Sequence, residues 1–156
     1  MAEESVESRK ERAKSSTSQK ELEKLAEDED QFVCMYVAKN TNTPVSLLEK
    51  LAEYKDEGVR TAVAGNANIP VSLLEKLAED KYEYVRIQVA KNKNTPVSVL
   101  EKLAGDEEED IRQQVAENKS TPVSVLQKMG MSKDSTSMEN KIIYRIAGDG
   151  GEQKLV

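Results

Sequence analysis

The four prolines of this chain, Pro44, Pro70, Pro96 and Pro122, are each separated from the next by 26 residues. Proline fixes φ and lacks an N–H, so it interrupts helix or strand wherever it falls. Evenly spaced prolines therefore cut the chain into units of one length. Four more ladders keep the same step: Leu25, Leu51, Leu77, Leu103 and Met129; Asn40, Asn66, Asn92 and Asn118; Val33, Val59, Val85 and Ile111; Val37, Val63, Val89 and Val115. Ladders in one register demand a repeat architecture, in which each unit covers its apolar side with its neighbours.

Within a unit the spacing predicts two short helices. In the second unit Thr43 reads as an N-cap, with Pro44 in the first helical position, where a missing N–H costs nothing. Leu47, Leu48 and Leu51 then form an apolar stripe at helical spacing. Lys55, Asp56 and Glu57 make a polar turn whose acids favour the start of the next helix. Val59, Ala62 and Val63 give that helix an i, i+3, i+4 face. Its length, about two turns, allows partial 3₁₀ character. Asn66 falls where a left-handed C-cap is expected. The fold class predicted is all-α: a solenoid of five short helix pairs, in units of about 18–40, 44–66, 70–92, 96–118 and 122–149.

The end units depart from the pattern. Ser18 replaces the proline, and Gln19 and Glu21 replace two outward apolar residues, so 16–40 reads as a polar N-terminal cap. In the fifth unit Ile142, Ile146 and Ala147 match Ile111, Val115 and Ala116 after a five-residue insertion. Thr136 and Glu139 offer that last helix a capping box. Residues 1–15 and 150–156 are expected to be disordered tails flanking a repeat domain over 16–149.

Composition narrows function. Charged residues are 33% and aromatics 4% of the chain, with no Trp and one Phe. That is thin for a globular core but sufficient for a solenoid built on aliphatic contacts. With a net charge of −6 and no basic face, the chain is poorly suited to neutralising phosphates, which argues against nucleic acid. His is absent, which removes the usual general base and the commonest metal ligand. Cys34 is the only cysteine, so neither a disulfide within the chain nor a cysteine cluster can form. No apolar run approaches the ~20 residues of a membrane span, and MAEESVESRK lacks the hydrophobic region of a secretory signal. The expectation is a cytoplasmic, monomeric protein without enzymatic activity, cofactor or metal.

The run VRIQVAKNKNTPVSVLEKLAGD, Val85 to Asp106, resembles the leucine-rich repeat variant pattern V-R-x-x-V-A-x-N-x-x-[TS]-P-x-x-x-L-x-x-L-A-x-D. The match recurs over most of residues 18–118. The resemblance implies a right-handed superhelix in which layers of α-helix alternate with layers of shorter, 3₁₀-like helix. The family's unit is about 24 residues; the longer unit here leaves room for a full α-helix in the second position. Some relatives carry a cysteine-rich iron–sulfur module, which a single cysteine could not ligate. The family implies no one activity.

Function in a repeat protein is best sought where the units differ. The ladder Arg60, Arg86 and Arg112, with Cys34 at the same slot, reads either as an anion-binding row or as structural pairing with acids near Asp80 and Asp106. The asparagines read as caps that satisfy loop backbone groups, and the acids from Glu107 to Asp110 as a solvated face. Variable slots run Phe32, Gly58, Tyr84, Asp110; Met35, Thr61, Ile87, Gln113; and Tyr36, Ala62, Gln88, Gln114. Phe32, Tyr36, Tyr84 and Ile87 from these slots, with Tyr82 near the same turn and Arg86 beside them, are the candidate protein-binding residues; the competing reading is that some of them only fill gaps between layers. The function expected is an interaction or scaffolding module for a protein or peptide partner. The alternatives are an assembly or self-association appendage, or a recently duplicated or engineered array with no defined partner.

Overall fold

The computed structural model describes residues 2–130, in which ten α-helices follow one another: α1 (Val6–Ser15), α2 (Gln19–Leu25), α3 (Gln31–Lys39), α4 (Val45–Leu51), α5 (Glu57–Ala64), α6 (Val71–Leu77), α7 (Glu83–Lys91), α8 (Val97–Leu103), α9 (Glu109–Glu117) and α10 (Val123–Gly130). The expectations on the final helix and on the tail after residue 149 lie outside the described residues.

Helices α1, α3, α5, α7 and α9 form a row, each packed on the next. The shorter α2, α4, α6 and α8 lean against that row, so the chain is an all-α repeat solenoid. The core is as periodic as the sequence. Leu22, Leu48, Leu74, Leu100 and Leu126 are all fully buried, as are Val33, Val59, Val85, Ile111, Val37, Val63, Val89 and Val115. At about 1.5–3 kcal/mol for each such side chain, these rungs are the main force holding layer to layer.

The structure corrects four local expectations. Residues 1–15 were expected to be a disordered tail, yet Val6–Ser15 is helix α1, the first member of the long row. Only Val6 and Ala13 carry its apolar side, which hides it from a periodicity search. Ser5 caps it by accepting from the Ser8 N–H, Ala13 is fully buried, and Arg9 and Arg12 tie it to Asp28 and Glu21. The polar cap of the stack is therefore α1, and the unit over 18–40 lies inside it.

Thr43 does not cap α4. Its hydroxyl donates to the Val37 carbonyl (2.6 Å) and so closes the preceding helix; Thr95 and Thr121 do the same to Val89 and Val115. Pro44 itself is the N-cap, with extended ψ of 153°, so the helix starts one residue later than expected. Asn40, Asn92 and Asn118 end their helices with φ near −68° rather than in a left-handed conformation. Finally, the second helix of each pair is the α-helix that the longer unit leaves room for, and it is the longer of the two rather than the shorter, with eight or nine residues against seven in α4, α6 and α8. Three-residue hydrogen bonds do occur, at the ends of the second helices, as from Asn40 N to Val37 O, and in the turn after each first helix, as from Glu53 N to Lys50 O and Tyr54 N to Leu51 O.

Candidate interaction groove

Two ladders of polar side chains hold the layers in register. On α5, Arg60 forks onto Asp80 of the next unit (Nε–Oδ2 2.7 Å, Nη2–Oδ1 3.2 Å), while Nη1 donates to the carbonyls of Tyr54 and Lys55. Arg86 on α7 repeats this with Asp106 (2.9 and 3.1 Å), and its Nη1 donates to the Asp80 carbonyl. Arg9 on α1 takes Asp28 in the same way. These guanidinium groups are spent on the framework, which is the pairing reading of the arginine row. Burial alone would raise the Asp80 carboxyl. The Arg60 fork and the Tyr82 N–H outweigh it and hold that carboxyl below the usual range.

The second ladder is asparagine. Asn66 Nδ2 donates back to Ala38 O (2.7 Å) and Asn40 O (3.1 Å), and its Oδ1 accepts from the Asn68 N–H. Asn92 and Asn118 make the equivalent bonds to the unit before each of them. Asn40 reaches Ala13 O and Ser16 O at the end of α1. Each asparagine thus satisfies carbonyls that the end of the preceding long helix leaves open.

What the framework leaves free is a groove of about 620 Å³ running over α5 between α3 and α7. Its floor is Gly58, Thr61, Ala62 and Gly65; its walls are Phe32 and Met35 on one side and Tyr84 and Gln88 on the other. Phe32, Gly58 and Tyr84 occupy one repeat slot, so the groove is the space of a missing aromatic side chain. Phe32 is 49% and Tyr84 63% exposed; Lys10 Nζ lies over the Phe32 ring, 5.2 Å from its centroid.

Backbone geometry does not require these glycines. Gly65 has ordinary helical φ of −84°. A Cβ on Gly58 would approach the Asp56 carboxylate, but Phe32 holds the same place behind the capping Asp30 without difficulty. Glycine in a helix gives up about 0.5–1 kcal/mol relative to alanine, a cost that buys the chain only open space.

The six residues singled out from sequence fall in different places. Phe32 and Tyr84 face each other across the groove. Tyr82 lies under the Arg60 guanidinium (5.2 Å to the ring centroid) and beside Lys81. Arg86 belongs to the ladder with Asp106. Tyr36 is half-buried beneath Lys14 and Lys39, and Ile87 is half-buried against the core. Sequence reasoning missed the floor, although Gly58 and Ala62 stood in the slots already identified as variable. The signal was the drop in size between two aromatics. The acids from Glu107 to Asp110 are exposed, and no helix among the described residues is long and apolar enough to cross a membrane.

No protein-family model matches the chain, and no curated protein matches it. Among solved structures it is similar to a leucine-rich repeat variant with a novel repetitive structural motif, at a TM-score of 0.52 and 22% identity, covering 89% of this chain and 66% of that one. The likeness establishes the fold: the chain is built as a leucine-rich-repeat-variant solenoid and spans just under two thirds of that structure's length.

Proposed function

We propose that this chain is a non-enzymatic interaction module that holds a segment of a partner protein in the groove over α5. The observation carrying this reading is the placement of Gly58 between Phe32 and Tyr84. Two exposed aromatics flanking an apolar floor give a partner side chain somewhere to be desolvated, and aromatic residues are enriched where binding energy concentrates. The ladders on either side are engaged in holding one layer to the next, through pairs such as Arg60 with Asp80 and Arg86 with Asp106. Self-association through the N-terminal end is disfavoured, because α1 turns a charged face outward there.

The test is selection from a displayed random-peptide library on the full chain, with counter-selection on Gly58→Tyr. That substitution restores the repeat's own aromatic and fills the groove. The expected result is a family of peptides that bind the unsubstituted chain and lose binding to Gly58→Tyr and to Phe32→Ala/Tyr84→Ala. Recovered peptides that bind all three proteins equally would move the binding surface elsewhere.

A further inference from the structure

We infer that the groove's occupant is a protein segment with one bulky apolar anchor and a basic residue two or three positions from it, an inference that rests on the reading just proposed. The groove is electrically lopsided along α5. At the N-terminal end of that helix both Asp56 and Glu57 line it; at the other end stands Lys39. Glu57 is exposed, and no lysine or arginine among the described residues lies within salt-bridge distance of it. Its slot is Gln31 on α3 and Glu83 on α7, so the neighbouring layers place no cation at that position, and Arg60, the cation it interacts with, is already forked onto Asp80. The slot of Lys39 is Gly65 on α5 and Lys91 on α7, which keeps positive charge at the far end.

The helix dipole opposes this pattern without cancelling it. An N-terminus carries about half a positive charge, against two full carboxylates. A partial charge is also already engaged where Asp56 accepts from the Val59 N–H. The end near Glu57 therefore stays negative and favours a cation.

Dimensions set the spacing. From Glu57 to Gly65 is eight helical steps, about 12 Å at ~1.5 Å each. An extended partner at ~3.3 Å per residue crosses that length in three to four residues. With the anchor over Ala62, between Met35 and Gln88 and reaching towards the Phe32 and Tyr84 rings, it stands five helical steps, about 7.5 Å, from Glu57, and a lysine or arginine two or three residues away reaches Asp56 and Glu57.

The experiment uses labelled eight-residue peptides of serine with a central Trp. One set carries Arg at both second neighbours of the Trp, one carries Glu there, one carries Ser, and a fourth has Arg with Ser in place of the Trp. Placing the charge on both sides makes the test independent of chain direction; the residue that meets Lys39 offsets one of the two carboxylates and leaves one net negative charge to be read. Each is titrated by fluorescence anisotropy against the full chain, Gly58→Tyr, Phe32→Ala/Tyr84→Ala and Glu57→Lys. The Arg–Trp peptide is expected to bind roughly tenfold tighter than the Glu–Trp peptide, the worth of one exposed attraction and one exposed repulsion. It should lose binding in Gly58→Tyr and in the aromatic double variant, and Glu57→Lys should erase or reverse the charge preference. If Trp peptides bind in a Gly58→Tyr-sensitive way with equal affinity for Arg and Glu, or better affinity for Glu, the inference falls and the groove reading stands. If no Trp peptide's binding responds to Gly58→Tyr or to the aromatic double variant, both fall together. The urea midpoint of each variant, expected at or near that of the unsubstituted chain, separates blocked binding from lost fold.

Discussion

Cys34 and Tyr54 meet, Sγ to Oη 3.7 Å, at the one position in the arginine–aspartate ladder where neither Arg nor Asp is present. The partners on either side are Arg9 with Asp28 and Arg60 with Asp80. The Cys34 thiol donates to the Asp28 and Ala26 carbonyls, the first of which matches the carbonyls that take Nη1 in later units. Burial pushes this thiol up from its usual range, and the contact with Cys34 does the same to the Tyr54 hydroxyl. One neutral pair has replaced one charged pair, and both members changed.

The exchange should be reversible only as a pair. Cys34→Arg alone places a guanidinium opposite a phenol, and Tyr54→Asp alone leaves a carboxylate facing a thiol. Each is expected to lower stability by about 2 kcal/mol or more. The double variant rebuilds the Arg60–Asp80 geometry one layer earlier, with a favourable coupling of about 1–3 kcal/mol in a urea-denaturation cycle. Additive losses would mean that the slot no longer accepts a fork.

Sequence periodicity revealed the framework because each rung repeats a large, chemically distinct residue. Leu77 and Asn66 announce their roles by recurring. It did not reveal α1, whose buried side is little more than Val6 and Ala13 beside two arginine stems. Nor did it reveal the groove, which consists of atoms that Gly58 and Gly65 lack. The Cys34–Tyr54 exchange was readable in principle. Asp28, Tyr54, Asp80 and Asp106 form a ladder of their own, and setting it beside the arginine slot exposes two substitutions in one layer.

Acid should weaken the fold in part through Asp80. Its carboxyl is held below the ordinary range, so its contribution is complete above the unfolded value of about 3.9 and disappears as pH falls through the lower folded value. The urea midpoint should therefore drop between pH 5 and pH 2.5, and by less in Asp80→Asn, which lacks the titrating group. Equal drops in the two proteins would exclude Asp80 as a contributor. Asp28, Glu21 and Glu4 are lowered as well and add to the acid loss that remains.

The apolar rungs and the exposed valines should respond very differently to truncation. Leu77 is 2% exposed at the centre of the stack, and Leu77→Ala is expected to cost about 2–5 kcal/mol. Val97, at the start of α8, is 44% exposed, and Val97→Ala should fall within about 0.5 kcal/mol of zero. A comparable loss at both would place the core elsewhere.

The asparagine ladder permits a sharper test, because Asn and Asp share a shape and differ in what they donate. Asn66→Ala removes the donor to Ala38 O and Asn40 O and the acceptor for the Asn68 N–H. Leaving buried carbonyls unsatisfied should cost about 1–3 kcal/mol. Asn66→Asp keeps the acceptor but aims a carboxylate oxygen at the same two carbonyls, at a site 2% exposed. Repulsion then adds to desolvation, so at pH 7 this variant should be the less stable of the two despite its closer shape. Burial raises its carboxyl above the unfolded value, so the penalty should shrink as the pH is lowered towards 5 and the group takes up a proton it can donate. Urea midpoints at both pH values decide the matter: Asn66→Asp should recover relative to Asn66→Ala on acidification, and a constant gap between them would mean that position 66 is not read by its donors.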